Sequence, residues 1–238
     1  MLVVRDFCKS YKKGQMAVDG LSLRVEPGVI YGFIGHNGAG KTTTIRSVVG
    51  AQSFDSGEIL IAGKSIKTEP EEAKRLLAYI PDSPEVYDNL TGERYLNFVA
   101  DVYGVSLADR KRRIDEYAAA FEMTGRLGNV ISTYSHGMKQ KLVIISALIH
   151  APRLLVLDEP FVGLDPKAAF TLKGIMHDMT ADGCAIFFST HVLDTAEKLC
   201  DRVAIIKEGR LVAEGTMDEV RGNESLEHVF LEVIDHDA

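Results

Sequence analysis

The sequence predicts an α/β fold of buried strands with a block of helices inserted into the strand-bearing core. Three observations predict it. An apolar, β-branched and aromatic run at 29–34 leads straight into Gly35-His36-Asn37-Gly38-Ala39-Gly40-Lys41-Thr42-Thr43, a G-x-x-x-x-G-K-T pattern, and then into a helical segment over 41–49. Two further apolar runs, 154–157 and 185–188, end in Asp158-Glu159 and in Ser189-Thr190-His191. Between about 84 and 149 the apolar spacing is instead that of helices.

Taken in order, residues 2–7 and 21–25 alternate as strands, with a polar turn over 12–15 between them. Glu26-Pro27-Gly28 turns the chain into the strand before the glycine-rich loop. A strand at 57–63 and a short helix opened by Pro70 and acidic residues follow, then a strand at 77–80 that stops at Pro81-Asp82. Thr91 caps a helix whose spacing places Tyr95, Phe98, Val99, Val102 and Tyr103 on one face. Ser106 caps the next, with Ile114, Tyr117, Ala118 and Phe121 inward, and a third helix runs from Ser135 to His150. Beyond 154–157 the order is helix 166–179, strand 185–188, helix 193–199, a hairpin of 203–206 with 211–214, and a helical tail.

Length and composition narrow the function. A chain of 238 residues buries a sizeable core, and 46% hydrophobic with 26% charged residues is an ordinary globular balance. The net charge of −7 argues against nucleic acid as the main partner, since phosphate backbones call for clustered Lys and Arg. The dense basic run Arg110-Lys111-Arg112-Arg113 reads as a solvated helix face, with an anionic lipid or nucleic acid contact as the sharper alternative. Cys8, Cys184 and Cys200 are odd in number and lack C-x-x-C spacing, which fits a reducing cytosol rather than a disulfide framework or zinc site. The amino terminus has no long apolar stretch of the signal-peptide kind, and the apolar helix at 142–149 is shorter than the about 20 residues a bilayer needs. Any membrane role is therefore expected to act through a partner.

The candidate site follows from chemistry. Glycines let the loop curl so that successive N–H groups face phosphate oxygens, and the helix starting at Gly40 adds the positive end of its dipole. Lys41 then reaches the β- and γ-phosphates of a nucleoside triphosphate, Thr42 offers an oxygen to Mg²⁺, and Thr43 a donor toward the α-phosphate. Tyr11, before the first turn, offers a face for adenine. Ligands of parallel sheets sit outside the carboxyl ends of strands, where Asp82, Asp158, Glu159 and His191 all fall. Asp158 suits Mg²⁺, Glu159 an attacking water, and His191 the γ-phosphate and that same water.

At these residues the sequence resembles the nucleotide-binding subunit of an ABC transporter, from Val3 to about Glu214. Residues 35–42 match the Walker A motif, 154–159 the Walker B motif, Gly163-Leu164-Asp165 the D-loop and His191 the switch histidine, while Tyr11 falls at the adenine-stacking aromatic. Tyr134-Ser135-His136-Gly137-Met138 stands at the family signature, with His136 in place of its first glycine and Met138 in place of its glutamine; Asp82 replaces a glutamine as well. The resemblance implies a P-loop NTPase (RecA-like) core with an antiparallel β subdomain and an inserted α-helical subdomain. It divides the chain into an ATPase domain at 1–215 (core 1–82 and 150–215, helices about 84–149) and a short helical tail at 216–238.

It also implies an ATP hydrolase that dimerises head-to-tail around two Mg-ATP, as homodimer or heterodimer. Asn37, Gly38, Ala39, Gly40, Lys41, Thr42, Thr43 and Tyr11 hold one nucleotide, and Ser135, His136, Gly137 and Met138 close over the opposing one. Asp165 belongs to the D-loop; Lys41, Glu159 and His191 are the expected catalytic residues; Thr42, Asp82 and Asp158 are the expected Mg²⁺ ligands. A separate transmembrane permease would seat against Pro84, Val86, Tyr87 and Leu90, at the cytoplasmic face of the membrane, with no nucleic acid involved. The run 79–84, the segment around Thr91 and the tail around Phe230 are most similar to bacterial exporters of the drug, bacitracin-resistance and Ecs kind. The alternatives are a soluble ATPase of this type working on a protein assembly or nucleic acid, for which tandem cassettes or a long coiled coil would be the mark, and a non-hydrolysing ATP-gated subunit, against which Glu159 and His191 argue.

Overall fold

The computed structural model describes residues 1–12 and 14–235; Lys13 of the expected 12–15 turn and the last three residues of the tail lie outside them. β1 (Leu2–Lys12) and β2 (Gln15–Val25) pair antiparallel. Both run further toward the turn than the alternating runs at 2–7 and 21–25, because residues 8–12 and 15–20 are largely polar or small and give no period-two signal. β3 (Ile30–Ile34) feeds the glycine-rich loop and α1 (Lys41–Val48). β4 (Ser56–Ile61), β5 (Lys64–Ser65), α2 (Pro70–Arg75) and β6 (Leu77–Ile80) follow.

The helical block holds α3 (Gly92–Val102), α4 (Leu107–Ala120) and α5 (His136–Leu148). Thr91 and Ser106 accept backbone N–H bonds from Arg94 and Asp109, so both expected caps are made. The expected face of α3 needs correction: Phe98 and Val102 are exposed, and the buried side carries Tyr95, Leu96 and Ala100. The chain returns through β7 (Leu154–Asp158), α6 (Pro166–Ala181), β8 (Ala185–Thr190), α7 (Leu193–Leu199), β9 (Arg202–Lys207) and β10 (Arg210–Thr216). It ends in α8 (Met217–Arg221), begun by a Thr216–Glu219 capping box, and α9 (Leu226–Asp235).

Two sheets result. One is antiparallel, in the order β2-β1-β4-β5; the other runs β10-β9-β3-β8-β7-β6 and is parallel except for β10. Side chains alternate across the parallel sheet and so build two cores. Ile30 and Ile34 of β3, Leu155 and Leu157 of β7, and Ile186 and Phe188 of β8 face the helical block. Tyr31 and Phe33, Leu154 and Val156, and Ala185 and Phe187 face α1 and the antiparallel sheet. Covered on both faces, β3, β7 and β8 are buried throughout and read as unbroken apolar runs. Their carboxyl ends point to one rim, where the chemistry-bearing residues collect.

Candidate functional site

The loop from Gly35 to Gly40 is shaped by backbone conformations open to glycine. Gly38 and Gly40 have φ of 85° and 109°, and a Cβ on Gly40 would lie 2.7 Å from the carbonyl oxygen of Ala17. Lys41 is only 6% exposed. Its ammonium donates to the carbonyls of Gly35 (2.6 Å) and His36 (3.2 Å) and lies 3.8 Å from Glu159 Oε1. Burial pulls its pKa down, opposed by the charges of Glu159 and then Asp158.

A cavity of about 620 Å³ opens over this loop, lined by Tyr11, Lys41, Thr42, Thr43, Asp82, Asp158 and Glu159 among others. It also takes in Asn37, Gly38 and Gly40, whereas Ala39 of the same loop is buried and does not line it. Tyr11 is exposed at its mouth, where its hydroxyl donates to Gln52 Oε1 (2.9 Å) and lies 3.1 Å from the Thr43 hydroxyl.

The acidic side of the cavity is set by sheet register. β7 and β8 are parallel with Asp158 beside Ser189, and the Ser189 hydroxyl donates to Asp158 Oδ1. The N–H of Glu159 reaches Ser189 as well, 3.2 Å from its carbonyl and 3.3 Å from its hydroxyl. Glu159 turns there at φ 48°, a left-handed conformation that a non-glycine residue seldom adopts. Its Oε1 accepts a 2.8 Å hydrogen bond from Nδ1 of His191, the residue that follows β8. Asp158 is fully buried and its Oδ2 has no partner among the described residues. An orphaned buried carboxylate oxygen on a residue of the cavity wall, which Thr42 and Asp82 also line, gives an all-oxygen donor set of the kind Mg²⁺ takes, so these residues fit that ion.

The signature residues lie elsewhere. None of Ser135, His136, Gly137 and Met138 lines this cavity. Ser135 caps α5, accepting from the Met138 N–H at 3.3 Å. The His136 ring packs on Gly163, where a Cβ would meet its Cδ2 at 2.8 Å. Asp165 caps α6 through the Ala168 N–H (2.8 Å) and pairs with Lys141 of α5 at 2.7 Å. The Lys141 bond, with that cap behind it, holds its carboxyl below the usual range. The start of α5 and the 163–165 loop are thus braced together.

Sequence reasoning missed Ser189, Gln52 and Lys141 as members of this arrangement. Ser189 had a signal, its place at a strand end two residues before His191; Gln52 and Lys141 had none, because their contacts cross between elements. The basic run is only half a solvated face: Lys111 and Arg112 are exposed and pair with Asp115, Asp109 and Glu116, whereas Arg110, paired with Asp101, and Arg113, donating to the Ile149 carbonyl, are mostly covered.

A sequence model of the ABC transporter family matches residues 18–162. The chain is 36% identical over 243 residues to the ABC-type transporter ATP-binding protein EcsA of Bacillus subtilis (strain 168), covering 100% of this chain and 98% of that one. It is 38% identical over 217 residues to the bacitracin transport ATP-binding protein BcrA of Bacillus licheniformis, covering 91% and 70%. A solved structure described as the ATP-binding subunit of an ABC transporter matches with a TM-score of 0.95 at 37% identity, covering 99% of this chain and 100% of that one.

Proposed function

The chain belongs to the ABC transporter family, and from that premise we propose that it is the subunit that binds and hydrolyses Mg-ATP as a head-to-tail dimer and drives export through a separate transmembrane subunit at the cytoplasmic face of the membrane. That it is an ATP-binding ATP hydrolase follows from the family. The observation that carries the mechanism is the junction of the phosphate loop with two strand ends, where Lys41, Glu159 and His191 stand within one chain of contacts.

In this reading the backbone N–H groups of 37–42 cradle the phosphates, Thr43 and Tyr11 hold the α-phosphate side and the adenine, and Lys41 exchanges its loop carbonyls for the β- and γ-phosphate oxygens. Thr42, Asp158 and Asp82 would hold Mg²⁺, which when bound offsets charge on the phosphates. Water adds to the γ-phosphorus as the bond to ADP breaks, and Glu159 takes its proton. His191, already bonded to that carboxylate, fixes its direction.

Ser135 is exposed and stands outside the chain's own cavity, which supports closure of α5 over a second subunit's nucleotide in a two-fold arrangement. No helix among the described residues is long and apolar enough to cross a membrane. Of the residues expected to seat the permease, Pro84, Val86 and Tyr87 line a groove of about 540 Å³ together with Phe98, and Leu90 lies outside it; that groove is the surface this reading gives to the permease. Similarity to a protein named for bacitracin transport supports a role in transport.

Glu159→Gln tests the mechanism. The amide cannot take the proton, so phosphate release should fall by about 100-fold or more, while ATP stays bound and the purified chain doubles in mass on size exclusion with ATP. Unchanged turnover would remove Glu159 from the role.

A further inference from the structure

We propose that Asp82 turns the strand-end cluster into a divalent-cation site that fills before nucleotide arrives, so that ATP binding depends on the cation more steeply than it would with an amide at this position. The inference rests on the Mg-ATP reading above, and its test separates the two.

β6 and β7 are parallel with Ile80 beside Leu157, so Asp82 follows β6 as Glu159 follows the paired position of β7. Both carboxylates, with Asp158 and Thr42, line the same cavity. The Tyr79 phenol lies within reach of both charges: burial first, then the charge of Asp158, pushes its pKa up to about 12, Arg46 opposing and Asp82 adding a smaller push.

Charge balance in the cavity decides what it accepts. Its wall carries Asp82, Asp158, Glu159 and Glu208 against Lys12 and Lys41. Glu159 lies 3.8 Å from the Lys41 ammonium and accepts a 2.8 Å hydrogen bond from His191 Nδ1. Asp158 spends Oδ1 on the Ser189 hydroxyl, and its buried Oδ2 is unpartnered among the described residues. Asp82 is exposed and makes no hydrogen bond or ion pair among the described residues.

Asp82, with no ion pair among the described residues, and Asp158, which shares the Lys41 charge with Glu159, repel a bare triphosphate, and with the Thr42 hydroxyl they offer oxygens to a hard cation. A glutamine at position 82 would remove one of those charges and with it much of the pull on the ion. With no cation present, the same change relieves repulsion of the phosphates.

Mn²⁺ titration of the full chain without nucleotide, read by electron paramagnetic resonance, tests this together with binding of a fluorescent ATP analogue in Mg²⁺ and in EDTA. The wild type should bind Mn²⁺; Asp82→Gln should bind it about tenfold more weakly and Asp82→Glu nearly as well as wild type. EDTA should weaken analogue binding about tenfold more in the wild type than in Asp82→Gln. Absence of Mn²⁺ binding by the wild type, equal Mn²⁺ affinity in wild type and Asp82→Gln, or equal EDTA sensitivity of the two would overturn the proposal while leaving the nucleotide reading intact. Failure of all three proteins to bind the analogue in Mg²⁺ would overturn both.

Discussion

Ser189 links Asp158 and Glu159, the two acidic residues to which the proposed mechanism assigns Mg²⁺ and the attacking water. Its hydroxyl donates to the buried Asp158 and sits 3.3 Å from the Glu159 N–H, so one small side chain orders a carboxylate and the strained turn after it. Ser189→Ala would leave Asp158 with neither oxygen bonded to protein. Removing one partner of a buried polar group costs about 1–3 kcal/mol, and urea unfolding should show a loss of that size with ATP turnover reduced alongside. Unfolding at the wild-type midpoint would mean that water replaces the hydroxyl. Lys41, Thr42, Glu159 and His191 were legible in the sequence because their meaning lies in local spacing and in following a strand. Ser189's bond to Asp158 was not, since it spans 31 positions and exists only because β7 and β8 are neighbours in that register. The packing of His136 on Gly163 is hidden for the same reason: a ring stands where the family usually has glycine, and the space for it comes from a glycine in another loop.

Among the elements, the joint between the helical block and the sheet is pinned by His150. Its ring stacks on Tyr103, just past α3, with centroids 3.7 Å apart, and its Nε2 donates to the Leu77 carbonyl of β6 at 3.1 Å. Nδ1 is buried without a partner. Burial, the largest cause, pushes the pKa down from 6.5 to about 4; the Leu77 bond opposes it and Arg113 adds to it. The unfolded chain therefore takes up a proton between those values that the folded chain refuses. This contribution to stability is whole above 6.5 and is lost as pH falls toward 4. His150→Phe keeps the stack and cannot titrate, so between about pH 7 and pH 4.5 it should lose about 2–3 kcal/mol less than the wild type in urea unfolding. Parallel pH profiles would show that His150 is hydrated. At this scale the sequence misleads in one place. Helix α3 carries apolar residues on more than one stripe, and periodicity chose a stripe that includes Phe98 and Val102, which the fold leaves exposed. Spacing finds an apolar face but cannot say whether the chain's own core or another molecule covers it.

Across the whole molecule, the α/β core with inserted helices was legible, because uniformly apolar strands ending in functional residues demand cover on both faces. The strand order was not, since unbroken apolar runs carry no record of their neighbours. What the assembled order supplies is a continuous path. The segment after β6 starts at Asp82 in the nucleotide cavity, passes Tyr87 in the groove beside α3, and is tied at Asp88 to Lys139 of α5 by a 2.6 Å ion pair three residues into that helix. One stretch of chain thus touches the nucleotide site, the proposed permease surface and the helix that would close over a second subunit's ATP. Tyr87 is 60% exposed, edge-on to Tyr95 and Phe98 at 6.3 and 5.8 Å, so most of its ring is left open, as the proposed permease seat requires of an aromatic anchor. Truncating such an anchor costs a docked partner about 1–2 kcal/mol, near tenfold in affinity, without disturbing residues that touch phosphate. Tyr87→Ala, reconstituted in vesicles with its permease, should therefore lower transport severalfold while ATP hydrolysis by the isolated chain stays close to wild type. Equal loss of both would mean that the groove serves the chain's own folding, and the route from Asp82 to Lys139 would not carry coupling.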